Sequence, residues 1–320
     1  MSYTHLTQEE RYYIAAHLSI GKSQSEIAAE LNRSESTISR EISRNTGMRG
    51  YRPKQAHTLA VERFKNAEKA IKITDNIISK VEEKIREDWS PEQISGRLLN
   101  EEGISISHET IYQHILADKK AGGDLYTHLR GKKKNKKRYG TKSHDKRGRI
   151  KDKVSIDDRP QIVEEKSRKG DWEGDLVIGK NYKGALVTLA DRKTRKVKIG
   201  LVESKNAYGV QKMISKLLKG ETVFTLTLDN GKEFSYHKDI AKAIEGKVYF
   251  AHPYSSWERG LNENTNGLIR QYFPKRSSFE HITSEEVQRV ENLLNNRPRK
   301  SLGFCTPNEI YSGKKRIQYE

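Results

Sequence analysis

Three acidic residues in the C-terminal half stand where a carboxylate needs a reason to be. Asp175 interrupts the strand-like run Trp172-Glu173-Gly174-Asp175-Leu176-Val177-Ile178-Gly179, and Asp229 follows the apolar run 222–228 directly. Glu263 lies in the polar stretch 261–267, early in a helix running toward Tyr272. Burying a charge is unfavourable unless it is paired, hydrogen-bonded or metal-bound. Two aspartates on adjacent strands with a glutamate from a crossing helix would make an all-oxygen site for Mg2+ or Mn2+, the ligand set that hard divalent cations require. Each acid also has a plainer reading: Asp229 can start an Asp-Asn-Gly turn, and Asp175 can lie on a wet face. Glu173 and Glu258 compete as neighbouring acids, Glu233 can support the helix that follows, and His252 is a candidate on the substrate side.

The surrounding pattern must place these side chains together. Alternation puts Trp172, Leu176 and Ile178 on one face of a strand and Glu173, Asp175 and Val177 on the other. The runs 183–190 and 195–202 predict two more strands, joined through the turn signal Asp191-Arg192-Lys193. A helix at about 205–219, a strand at 222–228, a helix near 236–244 and a short strand at 247–250 follow. Three hairpin strands, then alternating helices and strands, describe an α/β ribonuclease-H-like domain with a mixed five-stranded sheet. Asp229 would lie at the rim of that sheet, the usual place for an active site. A helix at 284–297 and the capped start Thr306-Pro307-Asn308-Glu309 read as packing elements.

The N-terminal region has a different grammar. Thr7 with Glu10 forms a capping box for a first helix ending near Gly21. A second helix begins at Ser23, Asn32-Arg33-Ser34 turns the chain, and a third helix covers about 35–44. That is the plan of a helix-turn-helix, whose third helix enters the major groove. Ser36, Thr37, Ser39, Arg40 and Arg44 are its candidate DNA contacts. A similar unit at 89–116 starts with Ser90-Pro91-Glu92-Gln93 and offers His108, Glu109, Thr110 and Gln113 on its second helix. Residues 61–88 read as a charged amphipathic helical stretch.

Charge points the same way. Among 320 residues, 61 Lys and Arg stand against 43 Asp and Glu, a formal +18. Residues 119–153 hold 15 Lys and Arg with three Asp, a net +12 that makes up two thirds of the excess. Clustered cations are rewarded by a polyanion through counterion release, so Lys132, Lys133, Lys134, Lys136, Lys137 and Arg138 are expected on a DNA backbone. The single cysteine, Cys305, cannot form an intrachain disulfide or a cysteine-rich zinc site. Apolar runs such as 184–190 are too short to cross a bilayer. The domains expected are 1–60, helix-turn-helix; 61–118, connector with a second helix-turn-helix-like module; 119–165, basic linker; and 166–320, catalytic.

Taken together these motifs resemble the IS30 family of transposases, with a DDE catalytic domain like that of retroviral-type integrases. The matching stretches are WEGDLVIG (172–179), TLDNGKEF (227–234), PYSSWERGLNENTNGLIRQYFP (253–274), WSPEQISGR (89–97) and SHETIY (107–112). Between Asp229 and Glu263 lie 33 residues, the spacing of that family's second and third acids. The resemblance implies a multidomain chain, all-α helix-turn-helix modules followed by the integrase-type domain, with Asp175, Asp229 and Glu263 as catalytic and metal-binding residues. It implies Mg2+ or Mn2+, two ions per site; double-stranded DNA as partner, both transposon ends and target; a homodimer or larger assembly; and a bacterial cytoplasmic, nucleoid-associated location. Arg259, Arg270 and Lys275 would hold the scissile strand by its phosphates. A DNA-binding regulator without catalysis, or a nuclease without strand transfer, are the competing expectations.

Overall fold

The first three helices each begin at a hydroxyl that satisfies an amide the helix leaves open. Thr7 caps α1 (Gln8–Ser19) and Ser23 caps α2 (Gln24–Glu30), each in a reciprocal box with the glutamate three residues on; Ser34 caps α3 (Glu35–Asn45). Asn32 takes a left-handed conformation (φ 53°) in the turn between α2 and α3, which keeps that turn short. A two-residue ribbon, β1 (Thr46–Gly47) with β2 (Gly50–Tyr51), leads into α4 (Pro53–Asn66). Leu6, Ile14, Ile27, Ala28 and Ile38 form the core. Beside it Arg11 and Glu41 make a buried two-point ion pair (2.8 and 3.2 Å).

The computed structural model describes residues 5–66, 74–131, 150–253 and 255–315. They fall into two compact units, residues 1–72 and 73–320. In the stretch read from sequence as one helical run at 61–88, α4 already starts at Pro53, a residue preorganised for the first helical position. A separate helix, α5 (Asp75–Arg86), belongs to the second unit. Lys132, Lys133, Lys134, Lys136, Lys137 and Arg138 lie outside the described residues.

The second unit opens with α5, α6 (Pro91–Glu102) and α7 (His108–Lys120) around Val81, Ile85, Trp89, Ile94, Leu98, Ile111 and Ile115. After the short α8 (Gln161–Glu164) comes the sheet: β3 (Asp171–Ile178), β4 (Ala185–Asp191), β5 (Val197–Val202), α9 (Ala207–Leu218), β6 (Thr225–Leu228), α10 (His237–Ile244) and β7 (Lys247–Phe250). The strand order is β5-β4-β3-β6-β7, with β3–β4–β5 antiparallel and β3–β6–β7 parallel. The mixed five-stranded sheet is therefore present as expected. One face packs on α9 and α10 through Trp172, Val187, Leu189, Leu226 and Leu228. The other carries α11 (Gly260–Tyr272) and α12 (Ser284–Asn296) through Val177, Leu186, Ile269, Val290 and Leu294. Edge strand β5 is covered by α12: Asn295 exchanges two 2.8 Å bonds with the Val197 backbone and Glu291 takes the Ile199 amide at 2.7 Å. Among the described residues no helix is long and apolar enough to cross a membrane.

The WSPEQISGR motif turns out to be a joint. Trp89 and Ile94 enter the helical core, while Gln93 donates to the Pro298 carbonyl (2.8 Å) and the Phe304 ring lies where a Cβ on Gly96 would stand. Arg97 holds Glu309, the third residue of α13 (Pro307–Tyr311), through two bonds of 2.9 and 2.6 Å. Burial works to raise the Glu309 carboxyl, but the Arg97 bonds and the Thr306 amide outweigh it and bring it from 4.5 down to about 2. A carboxyl depressed by folding stabilises fully above its unfolded pKa and loses that contribution as pH falls through its folded one. Wild type should therefore lose stability between about pH 4.5 and about pH 2. Glu309→Gln should be less stable at neutral pH and show a flatter decline in urea unfolding followed over that range.

Candidate active site

Strand register brings the two aspartates together. β3 and β6 run parallel with Glu173 beside Thr227, so two residues further Asp175 comes beside Asp229, at the end of β6. Asp229 does start a turn, since its Oδ1 accepts the Gly231 amide at 2.9 Å, but its Oδ2 faces inward. Helix α11 crosses above them. Asn262 donates to the Gly174 carbonyl (3.1 Å) and its amide reaches Glu173 (3.3 Å). One turn on, Asn266 donates to Asp175 Oδ2 at 2.7 Å, while the Thr188 hydroxyl from β4 donates to Asn266 Oδ1 at 3.1 Å.

Arg259, immediately before α11, closes the arrangement. Its Nη2 donates to Asp229 Oδ2 at 3.3 Å, its Nη1 lies 3.6 Å from Asp175 Oδ1, and Nη1 also donates to the Gly174 carbonyl at 3.2 Å. One guanidinium thus bridges both aspartates. Burial raises the Asp175 carboxyl; Arg259 pulls it back, Asp229 pushes it up again, and the net direction is upward. That is the signature of an acid held near a second acid in poor solvation.

The neighbouring acids are engaged elsewhere. Glu173 is 2% exposed and pairs with Arg192 at 2.6 Å; Arg192 also holds Glu164 (3.0 Å) and the Val163 carbonyl (3.0 Å). Arg159 joins Glu164 to the Thr227 hydroxyl, tying α8 to β6. Glu258 accepts from the His252 amide and lies 2.8 Å from its ring Nδ1, while Asp157 stands 3.0 Å from Nε2. The Glu258 hydrogen bond, aided by Asp157, raises the His252 pKa.

Glu263 is exposed in the first turn of α11, three residues before Asn266 and so on the neighbouring flank of the helix. Among the described residues no three carboxylate, histidine or cysteine side chains are gathered closely enough to hold a metal ion. Asp175 and Asp229 are therefore brought together, and Glu263 is left outside them. Arg270 spends its guanidinium on the carbonyls of Ile178 (2.9 Å), Pro274 and Phe273, beside the Phe279 ring, and Lys275 is exposed. Ser36, Ser39, Arg40 and Arg44 are exposed on α3 with Thr37 half-buried; His108, Glu109 and Gln113 are exposed on α7 with Thr110 half-buried. Sequence reasoning missed Asn262 and Asn266, although their i, i+4 spacing on a polar helix face was a usable signal. It also missed that Arg259 would face carboxylates.

A family model described as a helix-turn-helix domain matches residues 2–45. The chain is 44% identical over 311 residues to the transposase for insertion sequence element IS4351 of Bacteroides fragilis, covering 96% of this chain and 95% of that one. It is 40% identical over 322 residues to transposase InsI for insertion sequence element IS30A of Escherichia coli (strain K12), covering 96% and 83%. The transposase for insertion sequence element IS1086 of Cupriavidus metallidurans is 33% identical over 321 residues, covering 96% and 94%. Among solved structures, the catalytic core domain of BIV integrase is similar over 45% of this chain and 95% of its own, at 22% identity and a TM-score of 0.36.

The two classes of acid should separate in stability. Glu173→Gln takes one of two carboxylates from Arg192, which keeps Glu164 and the Val163 carbonyl, and should destabilise the second unit by about 1–3 kcal/mol, the usual result of weakening a buried polar contact. Asp175→Asn relieves repulsion and desolvation, and should leave stability unchanged or raise it by about 1 kcal/mol. Denaturant titration of the two variants beside wild type measures both.

Proposed function

The chain belongs to the IS30 family of transposases, and on that premise we propose that it binds the terminal inverted repeats of its element and carries out both DNA cleavage and strand transfer at Asp175, Asp229 and Glu263. The observation that carries this reading is the β3–β6 register, which sets Asp175 beside Asp229 under α11 with a cation already shared between them. The donor chemistry suits a hard divalent ion, and two of the three ligands are already paired. Glu263, exposed in the first turn of α11, would complete the set by turning its side chain toward the pair. Mg2+ or Mn2+ held by these three carboxylates, two ions per site, would favour the deprotonated form of an attacking hydroxyl and neutralise charge on the departing oxygen.

The chain's own groups supply position. Asn266 and Thr188 fix the Asp175 carboxylate, and Asn262 fixes α11 on β3. In the first step water forms a bond to phosphorus at the element's end and the bond to the 3′ oxygen breaks, its proton coming from the water. In the second step the freed 3′-hydroxyl attacks a phosphodiester of target DNA or of the other end, and a new 3′-hydroxyl leaves. One site serves both because only the nucleophile changes. The exposed polar face of α3 would read the repeat in the major groove, with α7 as a second point of attachment. A dimer or larger assembly would hold two ends together.

The reading predicts joined products from wild type on end DNA with Mg2+ or Mn2+, and a loss of at least about 10³-fold in joining for Asp229→Asn, scored on gels. Cleavage without joining would make the protein a nuclease, and specific binding without any chemistry a regulator. Replacing Lys132, Lys133 and Lys134 by Gln should weaken binding to every sequence and reduce the slope of log K against log salt by about 0.9 for each phosphate no longer neutralised. An unchanged slope in fluorescence anisotropy would remove that segment from the DNA interface.

A further inference from the structure

Beyond any hold on a phosphate, we propose that Arg259 is a stand-in cation that keeps Asp175 and Asp229 paired without metal and must leave the site for the divalent ion to enter. This rests on reading the two aspartates as metal ligands. The guanidinium touches both carboxylates, and its side chain is only 12% exposed. It therefore occupies the space between them rather than brushing past from solvent. Two carboxylates and one guanidinium sum to −1, a tolerable charge at a half-buried strand end.

The ligand missing from the pair stands close by in sequence. Arg259 precedes α11 directly and Glu263 lies in its first turn, yet Arg259 is inside and Glu263 is exposed. The joint between them is built to give. Arg259 occupies the N-cap position of α11 without a side-chain cap, its backbone is non-helical (φ −124°, ψ 42°), and a Cβ on Gly260 would meet nothing within 4 Å. The preceding turn, Ser256–Arg259, has no side-chain cap either. Further along, α11 is anchored by Asn262, Asn266 and Leu268. A local rearrangement at this joint swings the guanidinium out, and with the helix held in place a turn of the Glu263 side chain from its neighbouring flank supplies the carboxylate. The site then changes from −1 to −3, a charge that requires divalent ions.

Arginine inside and metal inside thus exclude each other. Ion binding displaces Arg259, and the observed affinity falls by the fraction of molecules in which the arginine is seated. A displaced Arg259 becomes free to pair with a DNA phosphate. Phosphate and metal then favour the same state and strengthen each other's binding, by the same factor in both directions. The device keeps the site unloaded until a DNA backbone is seated beside it.

The test uses the full chain and Mn2+ alone, with free Mn2+ read by electron paramagnetic resonance. Arg259→Gln should bind Mn2+ about tenfold tighter than wild type without DNA. Arg259→Lys, which cannot bridge both carboxylates with a planar fork, should fall between them. Adding a duplex carrying the element's terminal repeat should tighten Mn2+ binding by wild type and leave Arg259→Gln nearly unchanged. Thermal unfolding of each variant checks that it is folded. Equal Mn2+ affinity in wild type and both variants, or a DNA effect that persists undiminished in Arg259→Gln, overturns the stand-in role. Asp175→Asn with Asp229→Asn separates the two ideas. If that double substitution abolishes Mn2+ binding in the Arg259→Gln background, the metal site stands whatever the fate of Arg259; if binding survives, the site assignment itself fails.

Discussion

Two carboxylates held side by side at the end of a parallel strand pair repel each other, and the second unit of this chain is arranged around that repulsion. The register of β3 against β6 leaves no freedom in the matter, because pairing Glu173 with Thr227 commits Asp175 and Asp229 to adjacent positions. In water such a pair would separate. Here the backbone ladder holds them, and partial burial makes each charge harder to bear. The response is local: an amide from Asn266 on one oxygen of Asp175, a turn amide on one oxygen of Asp229, and a shared guanidinium between them.

The same face of the sheet shows a second way of handling buried charge. Glu173, Arg192, Glu164 and Arg159 form a linear chain in which each acid has a base, Arg192 also finds a backbone carbonyl and Arg159 ends on the Thr227 hydroxyl. Arg192 and Glu164 each have two opposite charges, so the links reinforce one another, and Glu173 and Arg192 are nearly fully buried. The chain ties α8, β3, β4's end and β6 into one rigid frame. The aspartate site beside it is different in kind, since a single exchangeable cation balances two fixed anions. A rigid frame next to an exchangeable charge is the physical form one expects where a fold must hold position while its ligands change.

The helical modules repeat the theme of positions serving two ends. In α6 the capping residues start the helix, the apolar positions fill the module's own core, and Gly96 and Arg97 receive the chain's tail at Phe304 and Glu309. Helices α5 to α7 are thereby welded to the elements that follow the sheet, leaving the exposed face of α7 available for other partners. Arg270 illustrates the opposite allocation. Its guanidinium donates to two backbone carbonyls just past α11 and to that of Ile178 at the end of β3, so it fastens the helix to the strand.

Local chemistry was legible in the sequence. Capping hydroxyls located the helix starts, alternation put Glu173, Asp175 and Val177 on one face of β3, and the interrupted apolar runs gave the strands of the five-stranded sheet in order. These features depend on neighbours within a few residues, which is why a linear reading captures them. The family resemblance singled out three acids, of which Asp175 and Asp229 come together at the strand ends. What the sequence did not determine was the partner of each charge. Glu173 and Asp175 are identical in kind and two residues apart, yet one is locked to Arg192 and the other shares Arg259 with Asp229. Arg259 faces carboxylates instead of solvent, and Glu263 is exposed, because of where α11 crosses β3. Those choices come from strand register and helix crossing, contacts between segments tens of residues apart whose outcome only the packed tertiary structure decides.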